Sequence, residues 1–254
     1  MQMRHENWET LHIQCKASLV WFEESTMIGF YDYTVVLTYL SLMSAMLGMT
    51  LTVTGHPIIA TMCLLFCGLC DMFDGKVARS KKNRTSEEKS FGIQIDSLTD
   101  IVAFGVLPAM IMLFLCGYRW YAYVIAAFYV LAGLIRLAYF NVTEELRQKE
   151  TDECRKSYSG LPITSAALIF PILYCVISAG CVWLDRIERF GELFSVLPFR
   201  IILCAITAIT GLFFILPLKI RKPQSKELWA FFAVGVLVAF VLLLVMINAQ
   251  IKTR

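Results

Sequence analysis

Charged residues are scarce in this sequence, and their scarcity excludes one broad class of protein. Lys, Arg, Asp and Glu together account for 17% of the 254 residues, whereas 58% are hydrophobic, and the mean hydropathy is +0.65. Soluble globular domains carry about 25% charged residues, so this composition excludes that class. Long apolar runs indicate a polytopic membrane protein instead.

Residues that commonly bind zinc or carry redox chemistry are present but not grouped. The histidines His5, His12 and His56 are isolated, and the nine cysteines are scattered without a second metal-type pair. Cys67 and Cys70 form a CxxC pattern, but it lies inside a predicted membrane helix without the strand that a redox motif needs. We therefore expect the cysteines to be packing residues rather than redox or zinc ligands.

The first 30 residues contain no run long enough to cross a membrane and no cleavable signal pattern. Their mixture of aromatic, aliphatic and charged residues predicts an amphipathic helix on the membrane surface. A frayed terminal segment is the alternative. No internal repeat or low-complexity tract stands out. We therefore predict a juxtamembrane segment at 1–30 and one transmembrane domain at 31–254.

Seven apolar segments predict an all-α fold, a polytopic membrane helix bundle with a six-helix core plus one further helix. The predicted spans are Tyr33–Val53, Pro57–Arg79, Gly92–Cys116, Trp120–Val142, Leu161–Leu184, Phe199–Lys219 and Leu228–Ala249. Fourteen Lys and Arg residues fall on the side of the N-terminus and of loops 80–91, 143–160 and 219–227, against six on the other side. This bias predicts that the first side is cytoplasmic in a multi-pass protein of the cell membrane.

Four aspartates interrupt two of the predicted spans. Asp71 and Asp74 are three residues apart, and Asp96 and Asp100 are four apart, so each pair projects from one face of a helix. Ionisable groups inside a membrane are costly and usually mark a site. Simple polar contact between two helices is the alternative, but it needs only one or two carboxylates.

Small residues beside these acids allow the two helices to approach closely. They are Gly75, Ala78 and Gly92. Four carboxylates cannot share one dry pocket as free anions, so either several are protonated or cations hold them. Hard divalent cations with oxygen ligands fit such a set.

Two metal ions held by carboxylates beside a basic loop are suited to attack on phosphorus. The cations neutralise phosphate oxygens and align the nucleophile with the leaving group. The loop SKKNRTSEEKSF, with Lys76 and Arg79, supplies positive charge where an anionic nucleotide or lipid headgroup would enter. The sequence therefore predicts phosphoryl chemistry at a membrane surface.

The spacing of these residues resembles the signature of the CDP-alcohol phosphatidyltransferases. The matching positions are Asp71-x-x-Asp74-Gly75-x-x-Ala78-Arg79 and Gly92-x-x-x-Asp96-x-x-x-Asp100. Members of that family are integral membrane enzymes that move a phosphatidyl group from a CDP-linked lipid to an alcohol and release CMP. The loop between Arg79 and Gly92 is longer here than is typical of the family, and an insertion in a surface loop is thermodynamically cheap.

The resemblance implies a role for each matching residue. Asp71, Asp74 and Asp96 match metal ligands, and Asp100 matches the fourth, which lies near the incoming hydroxyl and is the candidate general base. Positions that pack around or contact the CDP moiety are matched by Asp74, Gly75, Ala78, Arg79 and Gly92. The implied cofactor is a divalent metal, Mg²⁺ or Mn²⁺, as two ions. The implied assembly is a homodimer, and no nucleic acid partner is expected.

Segments around the core motif favour serine as the acceptor alcohol. FGIQIDSLTDIVAFGVLP, RLAYFN at 136–141 and GLPITSAA at 160–167 resemble the phosphatidylserine synthases of this superfamily. The resemblance thus implies transfer from CDP-diacylglycerol to L-serine among membrane lipids. Sibling transferases using glycerol phosphate, inositol phosphate or choline are the alternative. A cation-coupled transporter is a more distant one, because no inverted repeat is visible.

Arg136 and Asn141 are the candidate acceptor-binding residues. An intramembrane arginine indicates a cavity or a partner, and the charge of Arg136 suits the carboxylate of serine. Asn141 could donate a hydrogen bond to the same group. The alternatives are snorkelling of Arg136 to the interface and capping of a helix end by Asn141.

Overall fold

A computed structural model of the chain describes residues 29–81, 84–150, 157–183, 197–221 and 225–252. The chain divides into two units, Met1–Asp32 and Tyr33–Arg254. The predicted interfacial helix at the N-terminus lies outside the described residues. The second unit contains all the helices discussed below.

The described residues form eight α-helices, and the all-α membrane bundle predicted from the sequence is confirmed. They are α1 (Val36–Val53), α2 (Pro57–Ser80), α3 (Ser86–Asp100), α4 (Leu107–Leu115), α5 (Trp120–Glu150), α6 (Ala166–Trp183), α7 (Leu197–Ile215) and α8 (Ser225–Lys252). Short 3₁₀ turns at Tyr33–Val35 and Ile163–Ser165 precede α1 and α6. Two short strands, β1 (Ser157–Ser159) and β2 (Lys219–Arg221), pair in antiparallel fashion.

The apolar helices coincide with the predicted spans. Five segments are long and apolar enough to cross a membrane: Tyr33–Val53, Pro57–Ala78, Ser86–Leu115, Trp120–Arg147 and Trp229–Ile247. Two shorter apolar helices, Ile163–Val176 and Phe199–Ile215, lie within the remaining two predictions. The segment Ser86–Leu115 is the most buried of the five and Trp229–Ile247 the least. The part of this segment beyond Asp100 is therefore central, since within α3 itself only Thr99 and Asp100 are buried, whereas α8 is peripheral.

Two helices extend beyond their predicted ends because polar residues stabilise them. The helix α3 begins at Ser86 rather than Gly92, since Thr85 and Glu88 form a capping box with both hydrogen bonds at 3.2 Å. The helix α5 continues past its predicted end at Val142 and reaches Glu150. The ion pair between Arg147 and Glu144, at 2.6 Å, supports that extension.

The helix that begins at Ser86 changes its hydrogen bonding immediately after Asp100. Residues Ile101–Val106 form a π-helical segment, in which the N–H of Leu107 donates to the carbonyl of Val102. A π segment adds a residue to the turn and so shifts the register of the residues that follow it. This segment was not predicted from the sequence.

Small residues and aromatic rings pack the helices together. A Cβ atom on Gly68 would lie 2.6 Å from the Cβ of Ala167, so α2 and α6 approach closely there. On the far side of the core, the ring of Tyr129 lies 5.5 Å from that of Phe170 and 5.4 Å from that of Phe214, centroid to centroid. All three aromatic side chains are fully buried. These contacts give the bundle a tightly packed core.

Candidate metal centre

Three of the four predicted aspartates meet between α2, which carries Asp71, and α3, which carries Asp96 and Asp100. Asp71, Asp96 and Asp100 each contribute a carboxylate oxygen, and the three atoms all lie within 4.8 Å of one another. Asp100 is the most enclosed, with 9% of its surface exposed. The helical spacing of three and four residues therefore does what the sequence predicted, because it turns acids on both helices towards the same space.

The fourth aspartate lies next to this group. Asp74 is close enough to Asp71 and Asp96 for their charges to repel one another. The four acids are therefore one continuous cluster, in which Asp74 lies beside the trio.

The donor set of this cluster fits a divalent cation. Carboxylate oxygens are the ligands that hard cations prefer, and closely spaced carboxylates repel one another unless a cation or protons neutralise them. Among the side chains that the structure describes, no lysine or arginine forms an ion pair with these aspartates. The residues placed to hold a metal are thus Asp71, Asp96 and Asp100, with Asp74 beside them.

The small residues of the predicted donor site lie beside the cluster. Gly75 and Ala78 are partly buried in the last turns of α2, and Gly92 is partly buried in α3. A Cβ atom on Gly92 would lie 2.6 Å from Nη2 of Arg84, so a guanidinium group covers this glycine. Arg79 lies in α2, but its side chain is outside the described part of the chain.

The basic loop is organised around one glutamate. The Nζ atom of Lys81 lies 3.3 and 3.2 Å from the two carboxylate oxygens of Glu88. Lys76 is exposed, and its Nζ lies 5.1 Å from the centroid of the Phe73 ring. The sequence predicted positive charge along this loop. In the structure, Lys81 has a carboxylate partner and Lys76 an aromatic one, whereas Arg84 has neither among the described residues.

Asn141 does not cap a helix, because α5 continues well beyond it to Glu150. Its side-chain amide forms a reciprocal hydrogen-bonded pair with Ser97. Nδ2 of Asn141 donates to the Ser97 hydroxyl at 3.0 Å, and that hydroxyl donates to Oδ1 at 3.1 Å. Ser97 was not among the predicted residues, although its position between Asp96 and Asp100 was the available signal. The contact joins α5 to the helix that carries two of the aspartates.

Arg136 is buried rather than extended towards the interface, so the snorkelling alternative is wrong. Only 6% of its surface is exposed, and its Nε donates to the carbonyl of Leu161 at 3.2 Å. Its Cζ atom lies 5.5 Å from the centroid of the Phe140 ring. The arginine therefore connects α5 to the turn that begins at Gly160.

Gly160 has a backbone that few other residues could adopt. Its φ of +81° lies in the left-handed region, and a Cβ atom there would meet the carbonyl oxygen of Phe214 at 3.0 Å and Nε of Arg136 at 3.3 Å. Its N–H donates to the carbonyl of Leu218 at 2.7 Å. The GLP segment noted in the sequence is thus a tight turn held between Arg136 and the end of α7.

Comparison with known proteins identifies relatives of this arrangement. A family model described as CDP-alcohol phosphatidyltransferase matches residues 33–208, the range that contains all four aspartates. A CDP-diacylglycerol--serine O-phosphatidyltransferase of Saccharomyces cerevisiae is 37% identical over 155 residues, which is 60% of this chain and 50% of that protein. The protein of the same name from Helicobacter pylori is 36% identical over 126 residues, 49% of this chain and 46% of the relative.

An archaeal protein is also similar. The archaetidylserine synthase of Methanothermobacter thermautotrophicus is 31% identical over 140 residues, which is 55% of this chain and 56% of that protein. The chain thus spans about half the length of the curated relatives it matches. No solved structure gives a significant match.

Proposed function

This chain belongs to the CDP-alcohol phosphatidyltransferase family, and from that premise we propose that it transfers a phosphatidyl group from CDP-diacylglycerol to L-serine. The products would be phosphatidylserine and CMP. The observation that carries the proposal is the cluster of Asp71, Asp96 and Asp100, with ligand atoms within 4.8 Å, inside the region that matches the family. The family is one of phosphotransferases, and the chain is a multi-pass membrane protein.

The four aspartates are proposed to hold divalent metal, Mg²⁺ or Mn²⁺, as two ions. When bound, such ions neutralise phosphate oxygens and hold nucleophile and leaving group in line. The chain supplies the frame for this work, since α2 and α3 carry the carboxylates and Asn141 joins α3 to α5 through Ser97. The burial of Asp100 also excludes water from the inner end of the cluster.

Asp100 is proposed as the general base of the reaction. Its carboxylate would accept the proton of the serine hydroxyl as the serine oxygen forms a bond to the lipid-side phosphorus. The bond between that phosphorus and the oxygen of CMP breaks in the same displacement, and CMP leaves with the electron pair. Because the cluster binds both reactants near Asp100, transfer becomes effectively intramolecular.

The donor is proposed to lie against the small residues of α2 and α3. Gly75, Ala78 and Gly92 would let the polar CDP moiety approach the backbone, while Arg79 pairs with a phosphate. The acyl chains would remain in the lipid. The substrates then require the enzyme to lie in a membrane, since a water-soluble acceptor must meet a lipid donor at the interface.

Serine is proposed as the acceptor because two of the relatives are named for transfer to serine and the third for synthesis of archaetidylserine. Arg136 and Asn141 are the proposed acceptor-binding residues. Arg136 would hold the serine carboxylate through its guanidinium group. We further propose a cytoplasmic active site, a juxtamembrane segment at 1–30 followed by one domain at 31–254, and a homodimer.

An acceptor screen tests the reaction and the alcohol together. The purified full chain is supplied with CDP-diacylglycerol and Mg²⁺ or Mn²⁺, and serine, glycerol phosphate, inositol phosphate and choline are offered separately. We expect CMP release and a lipid product with serine alone, and none in the Asp96→Asn variant. CMP release with another alcohol would retain the chemistry and reject serine. If no alcohol gave CMP release and the protein carried cations into proteoliposomes, a transporter would be favoured.

A further inference from the structure

Arg84 is a cation of the basic loop that the proposed mechanism does not use. It directly precedes Thr85, the residue that caps α3, and its Nη2 donates to the backbone carbonyl of Glu88 at 3.1 Å. Its Nε is buried and has no hydrogen-bond partner within the described ranges of the chain. A buried guanidinium N–H without an acceptor costs free energy, so this atom is suited to donate to a bound ligand.

The carboxylate of Glu88, four residues after Arg84, is already engaged. Glu88 accepts two hydrogen bonds from Lys81 and one from the N–H of Thr85, all between 3.2 and 3.3 Å. The loop therefore fixes the position of Arg84 through a backbone carbonyl and leaves its charge without a paired carboxylate in the described residues. A positive group held in this way is suited to bind an anion rather than to close a salt bridge.

The guanidinium lies at the approach to the aspartate cluster. It covers Gly92, where a Cβ atom would come within 2.6 Å of Nη2. Gly92 precedes Asp96 by four residues, which places the two on the same face of α3 one turn apart. An anion bound to Arg84 would therefore lie within one helical turn of the carboxylates.

We infer that Arg84 is a phosphate-binding residue, which donates from its buried Nε to a phosphate oxygen of a CDP-linked lipid lying over Gly92. The inference rests on the proposed function, since it takes the phosphate to be that of the transferase donor. The planar guanidinium presents two N–H groups in a fork that matches two phosphate oxygens. Gly92 leaves the space in which that fork can lie, because any side chain there would displace it.

Binding measurements on the full chain in detergent with Mg²⁺ test the inference. Affinity for CMP and for CDP-diacylglycerol is compared between wild type, Arg84→Gln, Arg84→Lys and the control Arg119→Gln, which removes an exposed charge of the same kind outside the basic loop. We expect Arg84→Gln to weaken both affinities about tenfold or more, and Arg84→Lys to recover only part of the loss. Arg119→Gln should change them less than about twofold. Equal losses in Arg84→Gln and Arg119→Gln would overturn the inference.

A second variant separates binding from a purely structural role. Gly92→Ala displaces the guanidinium, because the new Cβ would lie 2.6 Å from Nη2 of Arg84, and it leaves every charged side chain of the loop in place. We expect it to weaken CMP binding in the wild-type background and to add little loss in the Arg84→Gln background, because both changes remove the same interaction. Additive losses would assign the effect of Gly92 to its own contact with the donor and overturn the role of Arg84. A lower unfolding temperature in Arg84→Gln with unchanged CMP affinity would do the same.

Two further arms identify the source of the phosphate and the status of the proposed reaction. If Arg84→Gln weakens binding of phosphatidylglycerol micelles and leaves CMP affinity unchanged, the phosphate belongs to a membrane lipid and the donor site is rejected. If the variant loses affinity for CDP-diacylglycerol while wild type transfers no phosphatidyl group to serine, Arg84 keeps its role and the proposed acceptor fails. Serine transfer with a donor affinity insensitive to Arg84 rejects the inference alone.

Discussion

The hydroxyl of Tyr129 on α5 donates a 2.6 Å hydrogen bond to the backbone carbonyl of Phe104. In a regular α-helix that carbonyl would accept from residue 108, but Pro108 has no N–H. The carbonyl lies in the π segment that follows Asp100, in a fully buried region. Tyr129 thus supplies a hydrogen-bond donor where Pro108 has none. The carbonyl that it contacts lies four residues after Asp100.

Tyr129→Phe should destabilise the bundle, because it leaves the buried carbonyl of Phe104 without a donor. We expect a loss of about 1–3 kcal/mol in the free energy of unfolding, measured by denaturant titration in detergent micelles. Tyr139→Phe is the matched control, since Tyr139 lies on the same helix and is exposed. Equal stability of the two variants would show that the hydrogen bond contributes nothing.

The Ser97 and Asn141 pair should be coupled in stability. A double-mutant cycle with Ser97→Ala and Asn141→Ala is expected to give an interaction energy of about 0.5–1.5 kcal/mol, because each side chain loses its partner in either single variant. If Asn141 binds the acceptor as well, Asn141→Ala alone raises the KM for serine. Identical kinetic effects of both single variants would assign Asn141 a purely positioning role.

Replacing any aspartate of the cluster with asparagine should abolish transfer without preventing membrane insertion. Changes to residues that merely support metal ligands cost about 10–100-fold, so Asp71→Asn, Asp74→Asn, Asp96→Asn and Asp100→Asn should each lose more than about 100-fold in kcat/KM. Glu87→Gln serves as the control, since Glu87 is exposed and lies on α3 with Asp96 and Asp100. Near-normal turnover of any of the four variants at saturating metal would contradict a shared metal centre.

Arg136→Lys tests the acceptor site. We expect the KM for serine to rise about tenfold, because a point charge replaces a planar fork, while the KM for CDP-diacylglycerol stays unchanged. Loss of the hydrogen bond to Leu161 lowers stability in either case, so unfolding is measured in parallel. Lower stability with an unchanged KM for serine would leave Arg136 a structural role at the Gly160 turn.

The orientation of the protein can be measured by labelling. A cysteine introduced as Lys89→Cys, in a background without other reactive thiols, should be protected from an impermeant maleimide in intact cells and react after permeabilisation. The reason is the excess of Lys and Arg on that side of the membrane. A cysteine introduced as Trp120→Cys, at the exposed start of α5, provides the reference for the opposite side. Rapid labelling of residue 89 in intact cells would reverse the proposed topology.

Some features of this protein follow from short stretches of sequence alone. The spans could be predicted because an apolar run must be about 20 residues long to cross a bilayer. The aspartate pairs could be predicted to share a face because helical geometry places residues three or four apart on one side. These are local properties, and Asp71, Asp96 and Asp100 accordingly lie together in the structure.

Contacts between distant parts of the chain were decided only by the tertiary structure. The pairing of Ser97 with Asn141 and the hydrogen bond from Tyr129 to the π segment each depend on how helices pack. Periodicity within one helix carries no information about the rotation and depth of its neighbour. The sequence by itself therefore determined which residues are the candidates for the chemistry, and packing decided which groups contact them. A hydrogen bond forms only at a donor–acceptor distance of about 3 Å, and only the assembled bundle defines positions that closely.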